Sequence, residues 1–293
     1  MICVYRWALV LCVALLPSVA SAEDKFFNAD GVQIRYVEQG SGEPIILIHG
    51  FLVDLDVWIR TDVVPNLAKD HRVIALDCRG HGRSDKPHDP KQYGPQMALD
   101  IVRLLDHLGL HKAHIVGYSM GAHITAHLLT MHPERFLTAT LGGAPGLFHW
   151  SAEDDRRAEV EASELEQGML RSQILRLSPP NEPKPTDEEI GKRSEAMLAG
   201  KDRVALAAVR RSSRDLVVAH AQMAAVVVPT LGIVGSADPY LTDFTALKQA
   251  MPQLKLVVIE GATHSPPRGA VRRPEFVQAI RDFSASTLRT SDR

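Results

Sequence analysis

The sequence predicts an α/β protein, a mostly parallel twisted sheet with helices on both faces, interrupted by a helical cap. Three observations carry this. Short continuous apolar runs recur at 44–48, 72–76, 113–117, 136–141, 230–235 and 256–260, each fitting a strand buried on both faces. Stretches of helical pattern alternate with these runs, as helices crossing over a parallel sheet require. One segment breaks the rhythm: residues 151–215 hold 26 charged residues in 65 and no buried-strand run, against 23% charge overall.

Residues 32–37 alternate polar and apolar side chains, which predicts a half-exposed strand before Gly40-Ser41-Gly42. The run 44–48 follows as a buried strand, then a helical pattern over 56–68 whose length Pro65 limits. The strand at 72–76 leads into a Gly-rich loop over 78–87. Ile101, Leu104, Leu105 and Leu108 give an amphipathic helix over 97–108, with Gly109 at its end. The strand 113–117 precedes a helix over 120–131 closed by His132-Pro133, and the strand 136–141 comes next. Within the charged segment, residues 179–185 read as a Pro-rich loop between helical pieces, and its charge as a solvated face. Strands at 230–235 and 256–260 and a helix from 274 to about 288 complete the pattern.

The first 22 residues read as a secretory signal: Arg6, an apolar run from Trp7, Pro17, then Ala20-Ser21-Ala22 before polar Glu23. The uncharged stretch to Ala22 is 16 residues and contains Pro17, short of the roughly 20 that a membrane span needs. The expectation is an exported protein, periplasmic or extracellular, cleaved near Ala22, with no stable membrane span in the mature chain. The expected division is 1–22 for export, 23–146 with 221–293 as core domain, and 147–220 as cap. Cys3 and Cys12 leave with the signal, so Cys78 has no internal partner for a disulfide. The mature chain keeps 32 basic and 35 acidic residues, a balance that excludes a generic nucleic-acid binder.

The strongest chemical signal is Gly117-Tyr118-Ser119-Met120-Gly121, a Gly-x-Ser-x-Gly turn between a strand and a helix. A serine there is exposed on a sharp turn and needs a base, which needs an orienting acid. The chain order Ser, acid, His directs the search downstream. His264, after the last strand in Gly261-Ala262-Thr263-His264, can reach the carboxyl edge of the sheet. His123 and His127 lie inside the helix after Ser119 and are expected to point away. Asp238, in Gly235-Ser236-Ala237-Asp238, is the acid, with Asp243 a weaker alternative in the helix beyond; Gly142-Gly143-Ala144-Pro145 offers no carboxylate. The oxyanion of a tetrahedral intermediate needs backbone donors, and Met120 N–H at the helix start is the first. The second comes from His49-Gly50-Phe51-Leu52, with Phe51 N–H ahead of Leu52. His49 itself is read as structural.

On His49-Gly50-Phe51, the run Asp77-Cys78-Arg79-Gly80-His81-Gly82-Arg83-Ser84, the serine turn, Gly235-Ser236-Ala237-Asp238 and His264, the chain resembles the α/β-hydrolase superfamily over residues 25–290. The run 49–54 with Trp58 looks most like its esterase, lactonase and perhydrolase-type branch. The resemblance implies the α/β-hydrolase fold with a cap between the sixth and seventh strands, and it supports Phe51 and Met120 as oxyanion donors. Ser rather than Asp at 119 sets the chain apart from the otherwise similar epoxide hydrolases and haloalkane dehalogenases. Cys78 stands where a variable residue is usual and reads as a packed side chain, because it lacks an evident His or cationic partner.

The function expected is an exported serine hydrolase acting on a small carboxylic ester through an acyl-enzyme at Ser119, with His264 as base and Asp238 orienting it. Carbon–carbon bond hydrolysis or acyl transfer would use the same triad, and a non-catalytic small-molecule binding protein is the reading from outside enzymes. No cofactor is called for. His123 and His127 have i, i+4 spacing, but no Glu follows His123 and no further ligand completes a metal set.

Overall fold

The computed structural model describes residues 23–291, so the expected export signal lies outside the described residues. Eight strands form one sheet: β1 (Lys25–Ala29), β2 (Val32–Gln39), β3 (Glu43–Ile48), β4 (His71–Leu76), β5 (Ala113–Tyr118), β6 (Phe136–Gly142), β7 (Thr230–Gly235) and β8 (Lys255–Ile259). Their spatial order is β1-β2-β4-β3-β5-β6-β7-β8. The first two pairings are antiparallel and the remaining five are parallel.

The continuous apolar runs follow from this arrangement. In β3, Ile46 and Ile48 join one core while Ile45 and Leu47 join the core on the opposite face. Because alternate side chains leave a strand on opposite sides, a strand covered on both faces has no position for a polar residue. The first face is covered by α3 (Pro95–His107), α4 (Met120–Met131) and α10 (Leu241–Ala250), and the second by α1 (Asp56–Arg60), α2 (Val63–Leu67) and α11 (Pro274–Ser291).

Two local features differ from the expectations. Strand β1 is additional: it pairs with β2 around Asp30 and Gly31, both with positive φ, of 57° and 85°. Asp-Gly is the sequence signal for such a two-residue hairpin turn. The single helix expected over 56–68 is two, broken where Asp62 adopts φ 58°. Pro65 does not end the second helix because it lies in its first turn, where the missing N–H would have had no helical partner.

Between β6 and β7 the chain forms α5 (Ala152–Glu166), α6 (Arg171–Arg176), α7 (Asp187–Leu198), α8 (Arg203–Arg211) and α9 (His220–Ala224). Helices α5 to α8 enclose a small apolar cluster of their own, with Leu165, Leu170, Ile190, Leu198 and Leu206 packed on Leu52 and Phe51 of the core. Among the described residues no helix is long and apolar enough to cross a membrane.

Candidate active site

Every parallel strand ends at the same edge of the sheet, and the segments after β3, β5, β7 and β8 bring the candidate residues together there. Ser119 caps the start of α4 with φ 54° and ψ −111°, a conformation that costs a non-glycine residue roughly 1–3 kcal/mol. The surroundings hold it there. Its N–H donates to Gly142 O (2.8 Å), and its carbonyl accepts from Ala122 N–H and His123 N–H (2.9 and 3.1 Å). The flanking glycines are required by close approach: a Cβ on Gly117 would stand 2.1 Å from Gly121 O, and one on Gly121 would stand 2.1 Å from Ile48 O.

The Ser119 Oγ lies 2.9 Å from His264 Nε2. The other ring nitrogen, Nδ1, lies 3.0 and 3.3 Å from the two carboxylate oxygens of Asp238. A carboxylate can only accept, so Nδ1 carries the proton, leaving Nε2 to accept from the serine hydroxyl. Both His264 and Asp238 are buried. Asp238 Oδ1 also accepts Tyr240 N–H (2.9 Å), and Tyr118 OH donates to the His264 carbonyl (2.7 Å), which ties the loop to β5. Burial, with the Asp238 charge nearby, pushes the Tyr118 phenol well above its ordinary range, so it stays a neutral donor. Asp243 sits on the exposed face of α10 and has no bond to His264.

The loop after β3 lies against the serine, since a Cβ on Gly50 would be 3.4 Å from Ser119 Cβ. Among the described residues the N–H groups of Phe51, Leu52 and Met120 have no acceptor within the chain. Met120 N–H also belongs to the first turn of α4, where helix donors are unpaired and the dipole favours negative charge. His49 bridges two loops: its Nδ1–H donates to Gly50 O (2.7 Å) and its Nε2 accepts Cys78 N–H (3.0 Å). Burial pushes its imidazole below the ordinary range, and a neutral ring is what this bridge requires.

The Asp77–Ser84 loop is built by buried polar contacts. Asp77 accepts Leu55 N–H (2.7 Å) and Arg83 N–H (2.8 Å), and a Cβ on Gly82 would strike its carboxylate at 2.2 Å. Arg79 forms a bidentate pair with Asp100 (2.7 and 2.6 Å). Burial, helped by Asp100 and Asp77, raises the Cys78 thiol far above its usual range, which suits a packed side chain and not a nucleophile.

Two expectations are corrected. His123 does not point away: it lines the pocket that opens on Ser119, its ring 6.3 Å from that of Tyr240. Position 123 is four residues past Ser119, one helical turn on, and so shares its face. The charged segment is also not a purely solvated face. Glu161 is buried, and Arg157, Arg176 and Arg210 line the same pocket as Tyr240 and His264. They stand 4, 15 and 49 residues from Glu161 in the sequence, spread over three helices, and no local pattern marks them.

Residues 43–160 match the family model described as alpha/beta hydrolase fold. The dihydrolipoyllysine-residue acetyltransferase component of the acetoin cleaving system from Cupriavidus necator is 39% identical over 42% of this chain and 32% of its own length. The 2-hydroxymuconate semialdehyde hydrolase of a Pseudomonas strain is 37% identical over 41% of this chain and 42% of its own. The chain thus spans less than half the length of either curated relative. A thermophilic esterase from Thermogutta terrifontis superposes with a TM-score of 0.75 at 24% identity, over 91% of this chain and 99% of that one.

Proposed function

Because the chain has the α/β-hydrolase fold and is similar to hydrolases of that superfamily, we propose that it is a serine hydrolase of carboxylic esters. The observation that carries this is the unbroken relay from Ser119 Oγ through His264 (2.9 Å) to Asp238 (3.0 Å), beside unpaired backbone donors. Ser119 Oγ attacks the ester carbonyl carbon as its proton passes to His264 Nε2, and Asp238 stabilises the imidazolium. Phe51 and Met120 N–H groups hold the oxyanion. His264 then protonates the leaving alcohol as the C–O bond breaks, leaving acyl-Ser119. Water attacks the acyl carbon as it loses a proton to His264, and collapse releases the acid and restores Ser119. In this reading helices α5 to α8 form the cap, and residues 1–22 export the protein to the periplasm or the medium.

The test is a kinetic panel of small esters with Ser119→Ala as control. Turnover is expected to fall by roughly 10⁴-fold or more with an unchanged circular dichroism spectrum. Near-parental turnover in that variant would end the proposal. Acyl transfer is the second reading, favoured by the similarity to an acetyltransferase component. It predicts faster acyl delivery to an added alcohol or thiol than to water, measured as product partitioning. Carbon–carbon cleavage instead predicts turnover of a vinylogous diketone alongside an inert ester panel. Residual export is checked by fractionating cells that express the full chain, where a product starting near Glu23 is expected outside the cytoplasm.

A further inference from the structure

Among the described residues, the pocket that opens on Ser119 is lined by four arginines, Arg157, Arg176, Arg210 and Arg272, and by no carboxylate. Arg272 stands exposed, whereas the other three come from helices α5, α6 and α8. Behind Arg176 and Arg210 lies the one acid they share: Glu161, 2% exposed, is 2.9 Å from Arg176 Nε and 2.6 Å from Arg210 Nε. Two guanidiniums facing one carboxylate leave one positive charge over. Arg157 pairs with Asp154 and adds no further excess.

A surplus cation held partly out of water is expensive unless an anion accompanies it. Burial and the neighbouring Arg176 charge lower the Arg210 guanidinium from its ordinary value, despite Glu161. Burial raises Glu161, but Arg176 and Arg210 more than reverse this and hold it ionised. The buried Nε atoms of Arg157 and Arg210 lack a properly directed hydrogen bond, as does His123 Nδ1 on the same wall.

The cluster is also at working distance from the relay. Arg176 Nη1 donates to Tyr240 OH (3.1 Å), and the Tyr240 ring lies 5.3 Å from the His264 ring. One phenol therefore separates the guanidinium from the candidate base. We propose that Arg176 and Arg210 form a carboxylate subsite, and that the preferred substrate is an ester bearing a second, ionised carboxylate. Planar guanidiniums match a carboxylate in geometry, and a single surplus charge matches a monoanion better than a phosphate dianion. The inference rests on the ester-hydrolase reading for its substrate but not for its anion.

Two measurements test it separately. In the first, kcat/KM is compared for the 4-nitrophenyl monoester of glutaric acid and for 4-nitrophenyl pentanoate. The anionic ester is expected to be favoured about tenfold or more, the scale of one charge-assisted hydrogen bond, and Arg210→Gln to bring the ratio close to one. In the second, folded Ser119→Ala is titrated calorimetrically with monomethyl glutarate and with dimethyl glutarate. Tighter binding of the monoanion, with no ester cleaved by the parent protein, would keep the subsite and remove the ester reading. Equal affinities, a neutral ester preferred, a ratio unmoved by Arg210→Gln, or tighter binding of methyl phosphate than of monomethyl glutarate would overturn the subsite.

Discussion

The sheet core and the segment between β6 and β7 are built on opposite terms. In the core, β3, β5 and β7 contribute almost uninterrupted buried apolar side chains, and ordered loops hang from one edge. Between β6 and β7, helices enclose only a small apolar cluster and are fixed by polar devices. Ser151 and Asp154 make a capping box at α5, Thr186 and Glu189 make another at α7, and Asp202 caps α8. The contrast matters for the site. The reacting groups of the proposed mechanism need fixed distances, and the densely packed core supplies Ser119, Asp238 and His264. The proposed charge recognition tolerates looser geometry, and the charge-rich helices supply Arg176 and Arg210.

The sharpest test of that division changes one carboxyl group on the core side. Asp238→Asn keeps the size of the side chain, but with its oxygen accepting Tyr240 N–H it turns an NH2 donor towards His264 Nδ1 and favours the wrong tautomer, so kcat is expected to fall by roughly 10⁴-fold. The preference between anionic and neutral esters should survive in the residual activity, because the arginines are untouched. A changed preference would show that the two regions do not act separately.

Next come matched truncations. Leu47 and Leu165 are both fully buried, one in the sheet and one in the cluster around α5. Each Leu→Ala change is expected to cost about 2–5 kcal/mol locally. Leu47→Ala should lower the main thermal transition, whereas Leu165→Ala should speed hydrogen exchange in α5 and α8 more than in β3 and β5. Uniform acceleration across both variants would mean that the regions unfold as one unit.

Acid stability probes the core's polar edge. His81 is buried, and burial followed by the adjacent His49 lowers its pKa from 6.5 to about 3. A histidine kept neutral in the folded state penalises folding once the unfolded chain takes up the proton. Stability is therefore expected to be undiminished above pH 6.5 and to fall as pH drops from 6.5 towards 3. Melting temperatures of His81→Asn should show a shallower decline over that window, and an unchanged slope would place the acid sensitivity elsewhere. The smallest effect is expected at a cap: Ser151→Ala removes the α5 capping box and should cost about 1 kcal/mol, seen as faster exchange in its first turn.

Much of the core was legible because its determinants are local. A strand covered on both faces must be apolar throughout, so β3, β4, β5, β6 and β7 are visible as runs within a residue or two of their bounds. The serine turn is legible because Gly117 and Gly121 are forced by contacts within one strand–turn–helix unit and its neighbour β3. The β1 hairpin carried a readable Asp30-Gly31 signal in a segment too short and too polar to register as a strand. The break at Asp62 was not readable, since only packing chooses a left-handed residue there.

By itself, the sequence determined the alternation of strands and helices, the strained turn at Ser119, and the chain order in which serine, acid and histidine occur. Those features depend on neighbours in the chain, whose periodicity and conformational limits act over a few residues. Only the tertiary structure decided which nitrogen of His264 faces the serine, that His123 turns into the pocket, and that Arg176 and Arg210 share Glu161. Burial and charge pairing depend on groups that meet only after the chain has folded, and spacing along the chain does not encode that encounter.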